Sequence, residues 1–162
     1  MIFKDQESAS GQSIIEILVA LALLSGGLVC LLTLANFSLR NSIALKETTQ
    51  AKFLAEEAIE AVRNFRDNTN WQTNGLGVLT ASAPYYLQKS SSVPPQWQLV
   101  PGQEIINGFN RQVVFNQVAR DANDNITESG GAPDLETKKI IATVWWKDKK
   151  VELVTYLANW KP

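Results

Sequence analysis

The sequence predicts an α+β fold: a long N-terminal α-helix, its first half embedded in a membrane, packed by its second half on a small antiparallel β-sheet. Three observations predict it. Residues 14–34 read IIEILVALALLSGGLVCLLTL, an almost unbroken apolar run. Neither glycine nor proline occurs from Leu28 to Asn74. Beyond Trp71 the texture changes to turn residues and short runs rich in β-branched and aromatic side chains.

The apolar run is long enough to span a bilayer. At about 1.5 Å rise per residue, helical residues 14–34 extend roughly 30 Å, the thickness of a hydrocarbon core. A secretory signal carries a shorter apolar core, about 7–15 residues, behind a positive leader. Here the preceding MIFKDQESASG sets Lys4 against Asp5 and Glu7, so a membrane helix fits better. Glu16 interrupts the run two residues in. A carboxylate at the bilayer centre costs about 2.5–3.5 kcal/mol on insertion scales, and less near an end where it reaches the interface. Glu16 is therefore either a tolerated boundary acid or an acid awaiting a positive partner. Ser25-Gly26-Gly27 lies mid-run, where paired glycines weaken a helix by about 1 kcal/mol each; the pair serves close helix packing or marks a place where the helix can kink. Cys30, the one cysteine, has no intrachain partner and reads as a small packing residue.

Continuous helix is expected onward to about Arg66, so that Ile14–Arg66 would extend roughly 80 Å. Within AKFLAEEAIEAVRNFRD, Leu54, Ala58, Val62 and Phe65 recur at helical spacing with Ile59 beside them, while Glu56, Glu57, Glu60 and Arg63 fall mostly elsewhere. One stripe should pack on a domain and the acids should form a solvated face.

Five strands are expected after it. Tyr85–Lys89 and Trp97–Val100 flank prolines; Arg111–Arg120 carries Val113, Val114, Phe115 and Val118; Lys139–Trp146 and Val151–Leu157 form a hairpin across Lys147–Lys150. An antiparallel sheet of about three to five strands follows. Trp145 and Trp146, adjacent on one strand, must point to opposite faces, one of them into the core; the other packs at the core edge or serves a contact surface. Trp71, Trp97 and Trp160 stay open between these roles. The segments expected are a hydrophilic stretch over 1–11, a membrane helix over 12–34, its amphipathic continuation over 35–70 and a β-rich head over 71–162.

Read together, Gly11-Gln12-Ser13-Ile14-Ile15-Glu16-Ile17-Leu18-Val19-Ala20-Leu21 resembles the class III signal of type IV prepilins and pseudopilins. In that family a hydrophilic leader ends in glycine before a long apolar helix whose fifth residue is glutamate; counted from Gln12, the fifth residue is Glu16. The resemblance implies that 1–11 is a leader peptide and 12–34 a filament-core helix, with cleavage between Gly11 and Gln12 by a prepilin peptidase, methylation of the new terminus, and a role for Glu16 in assembly. Gln12 stands where the family more often has phenylalanine or methionine, and Ala9 and Ser10 where it often has basic residues. The charge flanks oppose the implied orientation: Lys4 precedes the helix, whereas Arg40, Lys46 and Lys52 follow it. The motif takes precedence because glycine, spacing, glutamate and apolar run coincide. The C-terminal VELVTYLANW is similar to the closing strand of many minor pilins.

Composition excludes several other functions. With no histidine and one cysteine, the chain cannot build a Ser-His-Asp or Cys-His arrangement, or a zinc site of imidazole or paired thiolates. The net charge is −1 from 15 basic and 16 acidic residues, without the clustered Lys/Arg of a nucleic-acid surface. Asp121–Glu136 is expected to be a polar loop. Within it Asp121, Asn123 and Asn125 have the one-three-five spacing of a calcium loop, but Ile126 occupies the glycine place and Ala132 the bidentate glutamate's. Turn chemistry and calcium are the two readings, and no other cofactor is indicated.

The resemblance implies a non-enzymatic minor pilin or pseudopilin. It would be a single-pass protein of the inner or cytoplasmic membrane with an extracytoplasmic head, later part of a pilus or pseudopilus. Its partners would be other pilin subunits, the prepilin peptidase, pilus or secretion assembly machinery and membrane lipid. Type IV pili, type II secretion and DNA-uptake systems are equally compatible. The rival is an uncleaved single-pass membrane protein displaying an extracytoplasmic β-rich binding module.

Overall fold

The computed structural model describes residues 9–160, with side chains from Ile14 onward. Helix α1 runs over Ala9–Asn68. It is followed by a single 3-10 turn, Leu76–Val78, and by strands β1 (Pro84–Lys89), β2 (Trp97–Pro101), β3 (Glu104–Ile106), β4 (Phe109–Arg120), β5 (Ile126–Thr127), β6 (Ala132–Trp146) and β7 (Lys149–Ala158). The chain divides into two compact units at Lys46/Glu47, inside α1.

The second unit holds the α+β core. From Glu47 onward α1 is amphipathic, and its inner face is lined by small residues: Ala51, Ala55, Ala58 and Val62 are fully buried, with Ile59 and Ala61 nearly so. Leu54 and Phe65, expected in the stripe, lie at its partly buried margin. The alanines lack bulk, so the helix backbone can approach the sheet closely, and the stripe centres on them.

The sheet is antiparallel, in the order β2-β1-β4-β6-β7, with β3 and β5 also paired to β4. It therefore has seven strands, not three to five. Alternation puts Val113 and Phe115 of β4 opposite Ala142 and Ile140 of β6, all four fully buried against the helix. Val114 falls on the other face. A bulge at Gln117/Val118 then shifts the register, which turns Val118 back into the core. Trp146 is buried and stacks in a tilted contact on Phe109, with ring centroids 5.4 Å apart. Trp145 is half-buried on the opposite face, as its parity requires.

All five expected strands are present, each one to seven residues longer. The expected Asp121–Glu136 loop is shorter than predicted: β5 and the first residues of β6 lie within it, because Ala119 and Arg120 pair with both flanking strands. The β6–β7 turn consists of Lys147 and Asp148 alone, with Lys147 at φ 52°. Gly77 sits against Trp71: a Cβ there would lie 2.5 Å from the Trp71 carbonyl oxygen and 2.6 Å from its ring. Trp71 in turn donates its indole N–H to the Leu135 carbonyl at 3.1 Å, closing the end of the core.

Candidate functional site

Among the described residues the first unit consists of α1 alone, apolar all round from Ile17 to Leu34. Every side chain from Ile14 to Ser42 is exposed in the isolated chain, including twelve large aliphatics from Ile14 to Leu32. The helix is long and apolar enough to cross a membrane. A helix hydrophobic on all sides needs an apolar surround. No charged residue occurs between Glu16 and Arg40, a separation of about 36 Å along a helix. Since a hydrocarbon core measures about 30 Å, the acid and the base can sit near opposite interfaces.

Polar side chains inside this stretch bond to their own helix. Ser25 Oγ donates to the Ala22 carbonyl at 3.0 Å, Thr33 Oγ1 to the Val29 carbonyl at 2.8 Å, and Asn36 Nδ2 to the Leu32 carbonyl at 3.0 Å. Such back-bonding satisfies donors where no water is available. The helix passes through Gly26 and Gly27 without a break, and a Cβ at either would meet nothing within 4 Å. Cys30 is exposed there.

Glu16 is exposed on this helix. A carboxylate only accepts hydrogen bonds, so the helix carbonyls that serve Ser25, Thr33 and Asn36 cannot serve it. The backbone at Gly11 and Gln12 belongs to the same helix, which starts at Ala9 and not at Ile14. One glycine costs about 1 kcal/mol, which flanking Ala9 and the long run beyond absorb. Positions 12 and 16 therefore share one helix face, one turn apart. The rest of the expected leader, residues 1–8, lies outside the described residues.

Asp121, Asn123 and Asn125 come together in the β4–β5 turn. The Asp121 carboxylate accepts from the backbone N–H of Asn123 (2.8 Å) and of Asn125 (2.9 Å), and from the Asn125 amide at 3.3 Å. The Asn125 and Asn123 backbone bonds, in that order, hold its pKa below the usual carboxylate range. This is an Asx-type turn, which satisfies the acid with donors of its own loop. Among the described residues no group of three or more Cys, Asp or Glu is placed to hold a metal.

Three polar constellations of the second unit were not predicted. Arg111 faces the core, where its guanidinium bonds Glu104, Glu57 and the Leu54 carbonyl at 2.8, 2.9 and 3.1 Å. Glu57, exposed on the helix as expected, also ties α1 to the sheet. Glu47 accepts from Lys147 at 2.6 Å and from the Trp146 indole at 3.1 Å; these two bonds, that of Lys147 first, lower its pKa. Arg120 bonds Asp134 at 2.7 Å. The sequence signal for Arg111 was its parity with Val113 and Phe115, which puts it on the inward face of β4.

No protein-family model, curated protein or solved structure matches the chain.

Proposed function

We propose that the chain is a pilin-like subunit, a minor pilin or pseudopilin, that is inserted in a membrane, cleaved after Gly11 and assembled into a filament through its N-terminal helix. The observation that carries this reading is the acid Glu16 at the head of an otherwise self-satisfied apolar helix, joined to a compact α+β unit. Cleavage would leave Gln12 with an α-amino group, largely protonated at neutral pH. Packing such helices side by side brings that cation to Glu16 of a neighbour. In a low dielectric an isolated carboxylate is costly, and an opposite charge offsets much of that cost. A single such pair also fixes axial register, as a lone polar residue does in a coiled coil.

Mass spectrometry of the membrane-extracted protein tests the first step, with a terminus at methylated Gln12 expected. An intact Met1 would instead support the uncleaved, single-pass binding module. For assembly, Glu16→Ala is expected to be processed yet lost from sheared filaments. Incorporation at the parental level would remove the role given to Glu16.

A further inference from the structure

We propose that the outer face of the sheet holds a binding site for a small apolar monocarboxylate, centred on Lys139. Three residues stand in a row across the face turned away from α1: Asn116 of β4 is opposite Lys139 of β6, and Lys139 is opposite Tyr156 of β7. Parity puts them there, since Asn116 follows buried Phe115 and Lys139 precedes buried Ile140. All three line a cavity of about 430 Å³, walled by Ile126 and Pro133 and bordered by Glu128. That volume is in the range of small-ligand sites, about 300–1,000 Å³.

The donors of the row select an anion. Lys139 brings an ammonium, Tyr156 a phenol O–H and Asn116 an amide. Asn116 Oδ1 accepts from Ser82 Oγ at 3.1 Å, so its Nδ2 hydrogens remain for a ligand. Lys139 is the one cation of the lining, and its Nζ already holds a carboxylate: Glu128 Oε1 accepts from it at 2.7 Å. That acid comes from residues 128–131, which join β5 to β6. The far end of this segment is fixed, because a Cβ at Gly131 would lie 2.4 Å from the Arg120 carbonyl oxygen; one at Gly130 would meet nothing within 4 Å. Glu128 thus occupies the place that a ligand's carboxylate takes.

Displacing Glu128 is cheap. Its side chain is 81% exposed, against 24% for Lys139. An ion pair with one partner so open contributes at most about fivefold to an equilibrium, and a competing acid gives up no more than that. In return the competitor brings what Glu128 lacks, an apolar body that leaves water against Tyr156, Ile126 and Pro133. A cation would be repelled by Lys139, and a neutral ligand would leave the Glu128–Lys139 pair in place. A polyanion would find a single cation for several charges. One negative charge on an apolar group fits best.

The test uses the full chain in a zwitterionic detergent. Phenylacetate, 3-phenylpropionate and their neutral amides are titrated by calorimetry, with the backbone amide shifts of Thr127 and Lys139 followed in parallel. At least one acid is expected to bind with Kd between about 0.1 and 3 mM, and its amide about tenfold more weakly or worse. Lys139→Met should weaken the acid about tenfold or more, and Lys139→Arg, which keeps the cation, should weaken it less. Glu128→Gln, which removes the competitor, should strengthen it about two- to fivefold. If Lys139→Met lowers the melting temperature, the amide and Glu128→Gln comparisons decide. No binding of either acid up to about 30 mM, equal binding of acid and amide, or weaker binding by Glu128→Gln would overturn the proposal; so would equal binding by Lys139→Met. It is independent of Glu16 and of cleavage, so its failure leaves the filament reading untouched.

Discussion

Arg111, on β4, ties α1 and β3 together in the second unit. Its side chain is 4% exposed and meets two carboxylates, one on α1 and one on β3. Removing one member of a buried ion pair leaves the other uncompensated, typically at 3–5 kcal/mol. Glu57 is 51% exposed and Glu104 21%, so water recovers part of that loss. Arg111→Ala is expected to destabilise the unit by about 3 kcal/mol, and Glu57→Ala by less than half as much, both read from urea midpoints. This residue also marks a limit of sequence reading. An arginine between Asn110 and Gln112 looks like solvent-facing polarity, and only the strand's parity with Val113 and Phe115 reveals that it points inward. Glu16 is the opposite case: its meaning lies in linear spacing, and its position on α1 follows from helix geometry alone.

At the scale of elements, length decided what could be read. Helix α1 and strands β4, β6 and β7 carry enough residues to display a period. β3 and β5, of 3 and 2 residues, carry none. A signal for β3 nevertheless existed: Asn107-Gly108, at φ 51° and 84°, joins it to β4, and such a pair is the preferred two-residue hairpin turn.

The β4–β5–β6 end carries a prediction of its own. Hydrogen bonds from Asn125 and Asn123 lower the pKa of Asp121, and the bond from Lys139 lowers that of Glu128. For Asp134 burial is the largest influence and acts upward, but bonds from Arg120, Thr137 and the Glu136 N–H together outweigh it. Carboxylates depressed in the fold contribute stability above their unfolded pKa, near 4, and lose it as pH falls through the folded values. Lys139, raised chiefly by its bond to Glu128, contributes below about 10.4 and loses its share as pH rises through its folded pKa. Acidification below about pH 4 should therefore loosen this end first. Amide exchange is expected to rise at Ala119 and Thr127 before it rises at Ala142 and Val144; simultaneous loss would contradict the assignment.

For the whole molecule, the two units demand different solvents. The second encloses its core in water, with Phe115, Leu76, Ile140 and Val62 fully buried, whereas the first exposes apolar side chains along its length. The full chain is accordingly expected to stay in the membrane pellet after alkaline carbonate washing, and a chain lacking residues 14–34 to appear in the supernatant. A full chain released by carbonate would mean that its helix is covered by something other than lipid. The self-bonding of Ser25, Thr33 and Asn36 has one more consequence. With those two hydroxyl hydrogens and one amide hydrogen already committed, the middle of the helix offers lipid or a sister helix little chemical contrast between one azimuth and another. Under the proposed membrane and filament reading, a chain in the bilayer plane would spin about its long axis at small energetic cost, and recognition would be left to shape and to Glu16.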